Sequence, residues 1–103
     1  MSEKGTSMAM TSIVHMRLNH QEQALALLHE TLAATRAFPG CVRAEVVQDR
    51  DDPGHIVLLE TWESSEDETA YRRWRAEEPP KPAFRAFVAA VPEIQSFTVR
   101  GDV

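Results

Sequence analysis

Only one cysteine, Cys41, occurs in the 103-residue chain, so an intrachain disulfide and a zinc site built from several thiolates are both excluded. Such sparing use of cysteine fits a reducing cytoplasm, which is the expected location. No apolar run approaches the roughly 20 residues that a membrane-spanning helix needs. The first residues, MSEKGTSMAM, also lack the apolar stretch of a signal peptide. Positive charge is scarce: 11 Lys and Arg stand against 16 Asp and Glu, a net charge of −5. That balance argues against nucleic acid as a partner, since phosphate neutralisation needs clustered cations. The one basic cluster, Arg72, Arg73 and Arg75, is flanked by carboxylates on both sides. Neither a GxGxxG nor a P-loop is present, which removes nucleotide binding by those routes. No two histidines fall at i, i+3 or i, i+4, and no Cys/His pair has ligand spacing, so no metal site is expected.

What is present is enough for one compact domain. Hydrophobic residues make up 43% of the chain and charged residues 26%. A chain of this length buries roughly two-thirds of its unfolded surface, sufficient for a single core. Residues 1–9 read as a flexible tail and residues 10–103 as one domain.

Residues 11–18, TSIVHMRL, alternate Ile13, His15 and Arg17 against Val14, Met16 and Leu18, the period of a strand. Asn19 followed by Glu22 has the form of a capping box opening a helix over His20–Phe38. Pro39-Gly40 stops that helix. Residues 41–49 form a second strand, and Arg50-Asp51-Asp52-Pro53-Gly54 turns it into a hairpin with residues 55–63. Ser65 with Glu68 is a second capping box, and the helix after it brings Ala70, Tyr71 and Trp74 to one side. Pro79, Pro80 and Pro82 must end it. A short helical run over 83–90 and a strand over 93–100 complete the chain.

The order strand–helix–strand–strand–helix–strand predicts an α+β fold of the ferredoxin-like βαββαβ type. Its four-stranded antiparallel sheet would carry both helices on one face. The third strand raises a difficulty. Ile56, Val57, Leu58 and Leu59 run without a polar break, so both of its faces demand cover. Helices cover one face. An apolar sheet face left in water is a patch that soluble monomers seldom tolerate, which predicts a homodimer formed sheet against sheet.

Phe38-Pro39-Gly40-Cys41, the Asp52-Pro53-Gly54 turn and Glu60-Thr61-Trp62-Glu63 before an acidic helix start resemble, in order and spacing, the antibiotic biosynthesis monooxygenase family. The resemblance spans roughly residues 11–100. It implies a dimeric α+β barrel with a small pocket in each subunit between helices and sheet. It further implies a cofactor-independent monooxygenase acting on an aromatic polyketide or quinol-type small molecule with O₂. In that chemistry a deprotonated substrate reduces O₂ directly, and the protein supplies an apolar pocket, an anion stabiliser and a proton acceptor. The haem-cleaving branch of the family is disfavoured. Its axial histidine matches Val88, which cannot coordinate iron. The proline-rich 79–82 loop departs from the family pattern and should reshape the pocket mouth.

The candidate pocket residues follow. Trp62 matches the tryptophan of the strand-end motif, and Glu60 lies two residues back on the same strand face. Tyr71 and Trp74 are neighbours on the second helix, with Phe87 as a further lining residue. Each also serves as an ordinary core residue, and Glu60 as a structural hydrogen-bond acceptor. Arg72 and Arg73 read as solvated salt-bridging residues. His15 is the candidate general base, because an imidazole is suited to proton transfer near neutral pH. The alternation leaves its face open: on the helix side it enters the pocket, on the other it meets the second subunit. His20, His29 and His55 are expected on the solvent side. The alternatives to an enzyme are a non-catalytic small-molecule-binding protein and a structural dimer whose cavity is filled by its own side chains.

Overall fold

A computed structural model describes residues 8–103. The first seven residues of the expected tail lie outside the described residues. Ala9 is already tied to the sheet, its carbonyl accepting from Val99 N at 2.9 Å. The elements in chain order are β1 (Met10–Arg17), α1 (Gln21–Ala37), β2 (Cys41–Gln48), β3 (His55–Trp62), α2 (Ser65–Glu77), α3 (Pro82–Arg85) and β4 (Glu93–Thr98). The four strands form one antiparallel sheet in the order β2-β3-β1-β4. This is the ferredoxin-like α+β arrangement.

Strand periodicity decides which side chains meet the helices. On β1, Met10, Ser12 and Val14 are buried beneath them, and on β3 Ile56, Leu58, Glu60 and Trp62 are buried likewise. The α1 stripe Ala24, Leu28, Leu32 and Thr35 closes over this face, with Phe84 of α3 filling the end. At the other end Met10, Trp62 and Tyr71 form a second cluster against Phe38 and Trp74. Among the described residues no helix covers the opposite sheet face. Register places Ile13, His15, Val57, Leu59, Val47 and Phe97 together there. Val47 and Phe97 are 45% and 48% exposed, which leaves this face unmistakably wet in the single chain.

Three local expectations are corrected by the backbone. The cap of α1 is His20, not Asn19; His20 adopts a left-handed conformation (φ 50°), and no side chain caps the helix. The cap of α2 is Ser64, one residue earlier than expected, and its Oγ accepts from Asp67 N at 3.1 Å. The short third helix ends at Arg85 rather than near residue 90. The chain there turns to pair with the end of β1: Asn19 N donates to Phe87 O and Ala89 N to Arg17 O, each at 2.8 Å. Those bonds compete with continuing the helix and win because they satisfy backbone groups on both segments.

Candidate functional site

Between the helices and the sheet lies a cavity of about 200 Å³. Val14, Leu28, Leu32, Leu58 and Phe84 make its apolar walls, and Glu60, Tyr71, Arg72 and Arg75 bring polar atoms to it. Two hydrogen-bonded groups organise those polar atoms.

The first group is ionic. Glu60 is 1% exposed, and its carboxylate pairs with Arg72 Nη2 at 2.6 Å. Arg72 Nε also donates to Glu68, four residues back on α2, at 2.7 Å, and Ser12 Oγ donates to the same Glu68 oxygen at 3.2 Å. Burial pushes the Glu60 acid above the ordinary carboxylate range, and the nearby Arg72 only partly offsets it. The Trp62 indole N–H is fully buried and lacks a hydrogen bond of ordinary geometry among the described residues. It still lies near enough to Glu60 to favour its anion slightly.

The second group contains no carboxylate. Arg75 Nε donates to Tyr71 Oη at 3.0 Å, and Nη2 donates to Thr31 O at 2.8 Å and to Thr35 Oγ1 at 3.1 Å. Nη1 donates to Glu78 O at 3.1 Å. The Tyr71 and Thr35 hydroxyls are hydrogen-bonded to each other at 2.7 Å, and either can be the donor. The Arg75 cation therefore rests on neutral acceptors, and among the described residues no acid neutralises it. A guanidinium so placed favours a negative charge arriving in the cavity.

The sequence-predicted residues divide between several places. Glu60 and Tyr71 line the cavity. Trp62 is buried behind Tyr71, their ring centroids 4.8 Å apart, and braces it rather than facing the open volume. Trp74 lies under Arg75 and lines an outer groove between α1 and the C-terminal end of α2. Phe87 packs half-buried against the main core, edge-on to His20, and lines neither space. His15 lies on the helix-free sheet face, which removes it from this cavity; the strand pleat sends it opposite to Val14 and Met16.

On that face His15 belongs to a chain of hydrogen bonds. Its Nδ1 meets His55 Nε2 at 3.1 Å, His55 Nδ1 meets Asp49 Oδ2 at 3.0 Å, and its own Nε2 meets Gln95 Oε1 at 3.2 Å. The two rings lie within 15° of parallel with centroids 5.3 Å apart. That separation is what two rings joined edge to edge through one N–H···N bond require. His55 is therefore half-buried and partnered, not simply solvent-facing as expected. Its bond to Asp49 holds that carboxyl below the usual range.

Sequence reasoning missed Arg72, Arg75 and Thr35. The signal was partly visible: Glu68/Arg72 and Tyr71/Arg75 both stand at i, i+4 on one helix. Burial, and after it the Glu60 charge, push the Cys41 thiol up, which disfavours the thiolate form a nucleophile needs. Among the described residues no group of three His, Cys, Asp or Glu side chains is placed to hold a metal ion, and no helix is long and apolar enough to cross a membrane.

The fold is that of a ferredoxin-like α+β domain with a cavity between its helices and sheet. The family described as Antibiotic biosynthesis monooxygenase matches residues 14–90, and the chain belongs to that family. SnoaB, a cofactor-independent oxygenase from Streptomyces nogalater, superposes with a TM-score of 0.78 at 20% identity, over 91% of this chain and 95% of that one. A Chloroflexus aurantiacus J-10-fl protein provisionally assigned to the same family reaches 0.71 at 26% identity, over 90% and 94%. A conserved protein from Methanosarcina mazei Go1 reaches 0.77 at 15% identity, over 92% and 96%. No curated protein matches the chain by sequence.

Proposed function

We propose that this chain is a cofactor-independent monooxygenase acting on a small quinol-type or phenolic molecule, working as a cytoplasmic homodimer. The observation that carries the reading is Arg75. It is a cation at the wall of an apolar cavity, hydrogen-bonded to Tyr71 Oη and held by neutral groups only. An oxygenation without a cofactor needs the substrate as an anion, and a preorganised guanidinium–phenol pair is a stabiliser for that anion. Glu60, buried at the same cavity with its acid weakened, takes the role of proton acceptor in place of His15. The resulting carbanion gives its electrons to O₂. A ring C–H para to the phenolic oxygen becomes C=O and the phenolate oxygen becomes the second carbonyl; one oxygen atom of O₂ stays on carbon, and the other leaves as water with the ring and phenolic hydrogens. The apolar walls keep bulk water from the anion.

The dimer follows from the helix-free sheet face, where Ile13, Val57 and Leu59 adjoin exposed Val47 and Phe97. A second copy of this surface is the cover that suits it.

One observation favours a binding protein instead. Arg72 already occupies Glu60 at 2.6 Å, which would hold the carboxylate away from a substrate proton. Oxygen uptake separates the two readings. With a monocyclic quinol or phenol, the enzyme consumes O₂ and loses that activity in Arg75→Met and Glu60→Gln. A binder is thermally stabilised by the same molecules, by RT ln(1 + [L]/Kd), without turnover.

A further inference from the structure

The inner cavity is small for the ligands that a quinol oxygenase invites. A dry cavity of about 150 Å³ holds a single benzene ring. At about 200 Å³ the inner cavity takes one substituted ring and not a fused polycycle. A ligand of any greater length must continue elsewhere.

Two grooves adjoin the inner cavity. One, of about 430 Å³ between α1 and the end of α2, shares Thr31, Arg75, Pro80 and Phe84 with the inner cavity but also carries Glu30 and Glu78, which would repel a carboxylate. The other, an apolar groove of about 510 Å³, runs between α3 and the 88–92 segment, and Met16, Pro80, Phe84 and Pro92 line both it and the inner cavity. The two spaces thus share four wall residues. Beyond the shared wall the groove is made by the 88–91 segment, whose Val91 is 89% exposed among the described residues. A single charged residue lines the groove, Arg85, and no acid does. Among the described residues its guanidinium makes no ion pair or hydrogen bond, unlike Arg72 and Arg75. The groove lies on the helix side of the sheet, so a second copy seated on the opposite face leaves it open.

We infer that the site is bipartite and that its ligand is an aromatic acid: a hydroxylated ring in the inner cavity, joined to an apolar arm along the 88–91 groove that ends in a carboxylate at Arg85. This rests on the reading of the inner cavity as a small-molecule site. The arm explains an apolar groove that is open to water, and the lone cation selects the sign of the arm's end. Pro80 and Phe84 then form the waist through which the ligand passes.

Three probes test this by titration calorimetry on the full chain: 4-ethylphenol, 4-hexylphenol and 6-(4-hydroxyphenyl)hexanoate. 4-Ethylphenol occupies the inner cavity alone. 4-Hexylphenol binds at least tenfold more tightly, since each methylene buried adds up to about fourfold. The hexanoate binds at least as tightly as 4-hexylphenol, and in Arg85→Gln falls at least tenfold below it. Ala90→Trp, at an exposed position that tolerates bulk, removes the gain of both long probes and leaves 4-ethylphenol unchanged. If 4-ethylphenol binds and the longer probes gain nothing, or keep their gain in Ala90→Trp, the groove is not a subsite. If Arg85→Gln leaves the hexanoate unaffected, the carboxylate assignment is wrong. Failure of 4-ethylphenol itself to bind overturns the inner site, and the bipartite site with it.

Discussion

Arg75 donates from Nε to Tyr71 Oη across 3.0 Å while its guanidinium carbon stands 4.8 Å from the centroid of the Trp74 ring. The phenol is thereby fixed at the cavity wall and made a stronger donor to an incoming oxyanion. Tyr71→Phe removes that donor and leaves the ring packed against Trp62. Loss of one such donor lowers turnover by about 10²–10³-fold. The same change should lower folding stability by only about 1 kcal/mol, the usual net worth of a hydrogen bond, because Thr35 keeps Arg75 as a partner. Steady-state O₂ uptake beside thermal melts checks both numbers. A stability loss large enough to explain the rate loss would return Tyr71 to a purely structural role.

Glu60 and Arg72 make a prediction whose sign can be worked out. Burial raises the Glu60 acid, so the folded chain holds that proton to higher pH than the unfolded one. The associated stability is fully present below the unfolded value, about 4.3, and is lost as pH rises through the folded value. Glu60→Gln cannot titrate. The stability difference between variant and wild type should therefore shift in favour of the variant from pH 4 to pH 8, measured by urea unfolding at each pH. A shift the other way would mean that the Arg72 pair outweighs desolvation.

Leu58 and Leu59 are adjacent in sequence and serve opposite faces of β3. Leu58 lies in the core and Leu59 on the helix-free face, opposite Ile13. Leu58→Ala leaves a cavity and should lower stability by about 2–5 kcal/mol without changing the assembly. Leu59→Glu should convert the proposed dimer to monomers, as sedimentation equilibrium would report, with the monomer fold preserved. A wild-type chain that sediments as a monomer at tens of micromolar would remove the sheet-to-sheet dimer from the account.

Much of this fold was legible because its signals are local. Alternation in β1, the Asp52-Pro53-Gly54 turn and the proline stop after α2 each depend on a few neighbouring residues. The facing of His15 was not legible, because pleating fixes only that it opposes Val14, and the helices decide which side is inside. On β3 the unbroken run from Ile56 to Leu59 hides the same choice. Arg75 escaped for a related reason. Its helix spacing to Tyr71 is plain, but its acceptors Thr31 and Thr35 lie 44 and 40 residues earlier and arrive only when α1 docks. The α2 cap slipped by one residue because Ser64 and Ser65 are equally good candidates by residue type. Only the extended backbone at Ser64 selects it.

Gly40 carries the last prediction, since this residue of the turn between α1 and β2 packs against the start of α2. Its φ of +89° is a conformation that side chains disfavour, and its carbonyl accepts from Glu63 N at 2.8 Å. A Cβ at this position would lie 2.3 Å from Asp67 Cγ. Asp67 cannot yield without cost, because Ser64 Oγ donates to its carboxylate at 3.0 Å while capping its backbone N–H. Gly40→Ala thus incurs the left-handed penalty, about 1–2 kcal/mol, together with damage to a cap worth about 1 kcal/mol. A loss of roughly 2 kcal/mol corresponds to a fall in Tm of about 10 °C for a domain of this size. Gly40→Asn separates the two causes. Asparagine tolerates the left-handed region but meets the same Asp67 side chain, so a loss equal to that of alanine assigns the cost to crowding at the α2 cap. A much smaller loss would assign it to the backbone alone, and Asp67 would then have room to move.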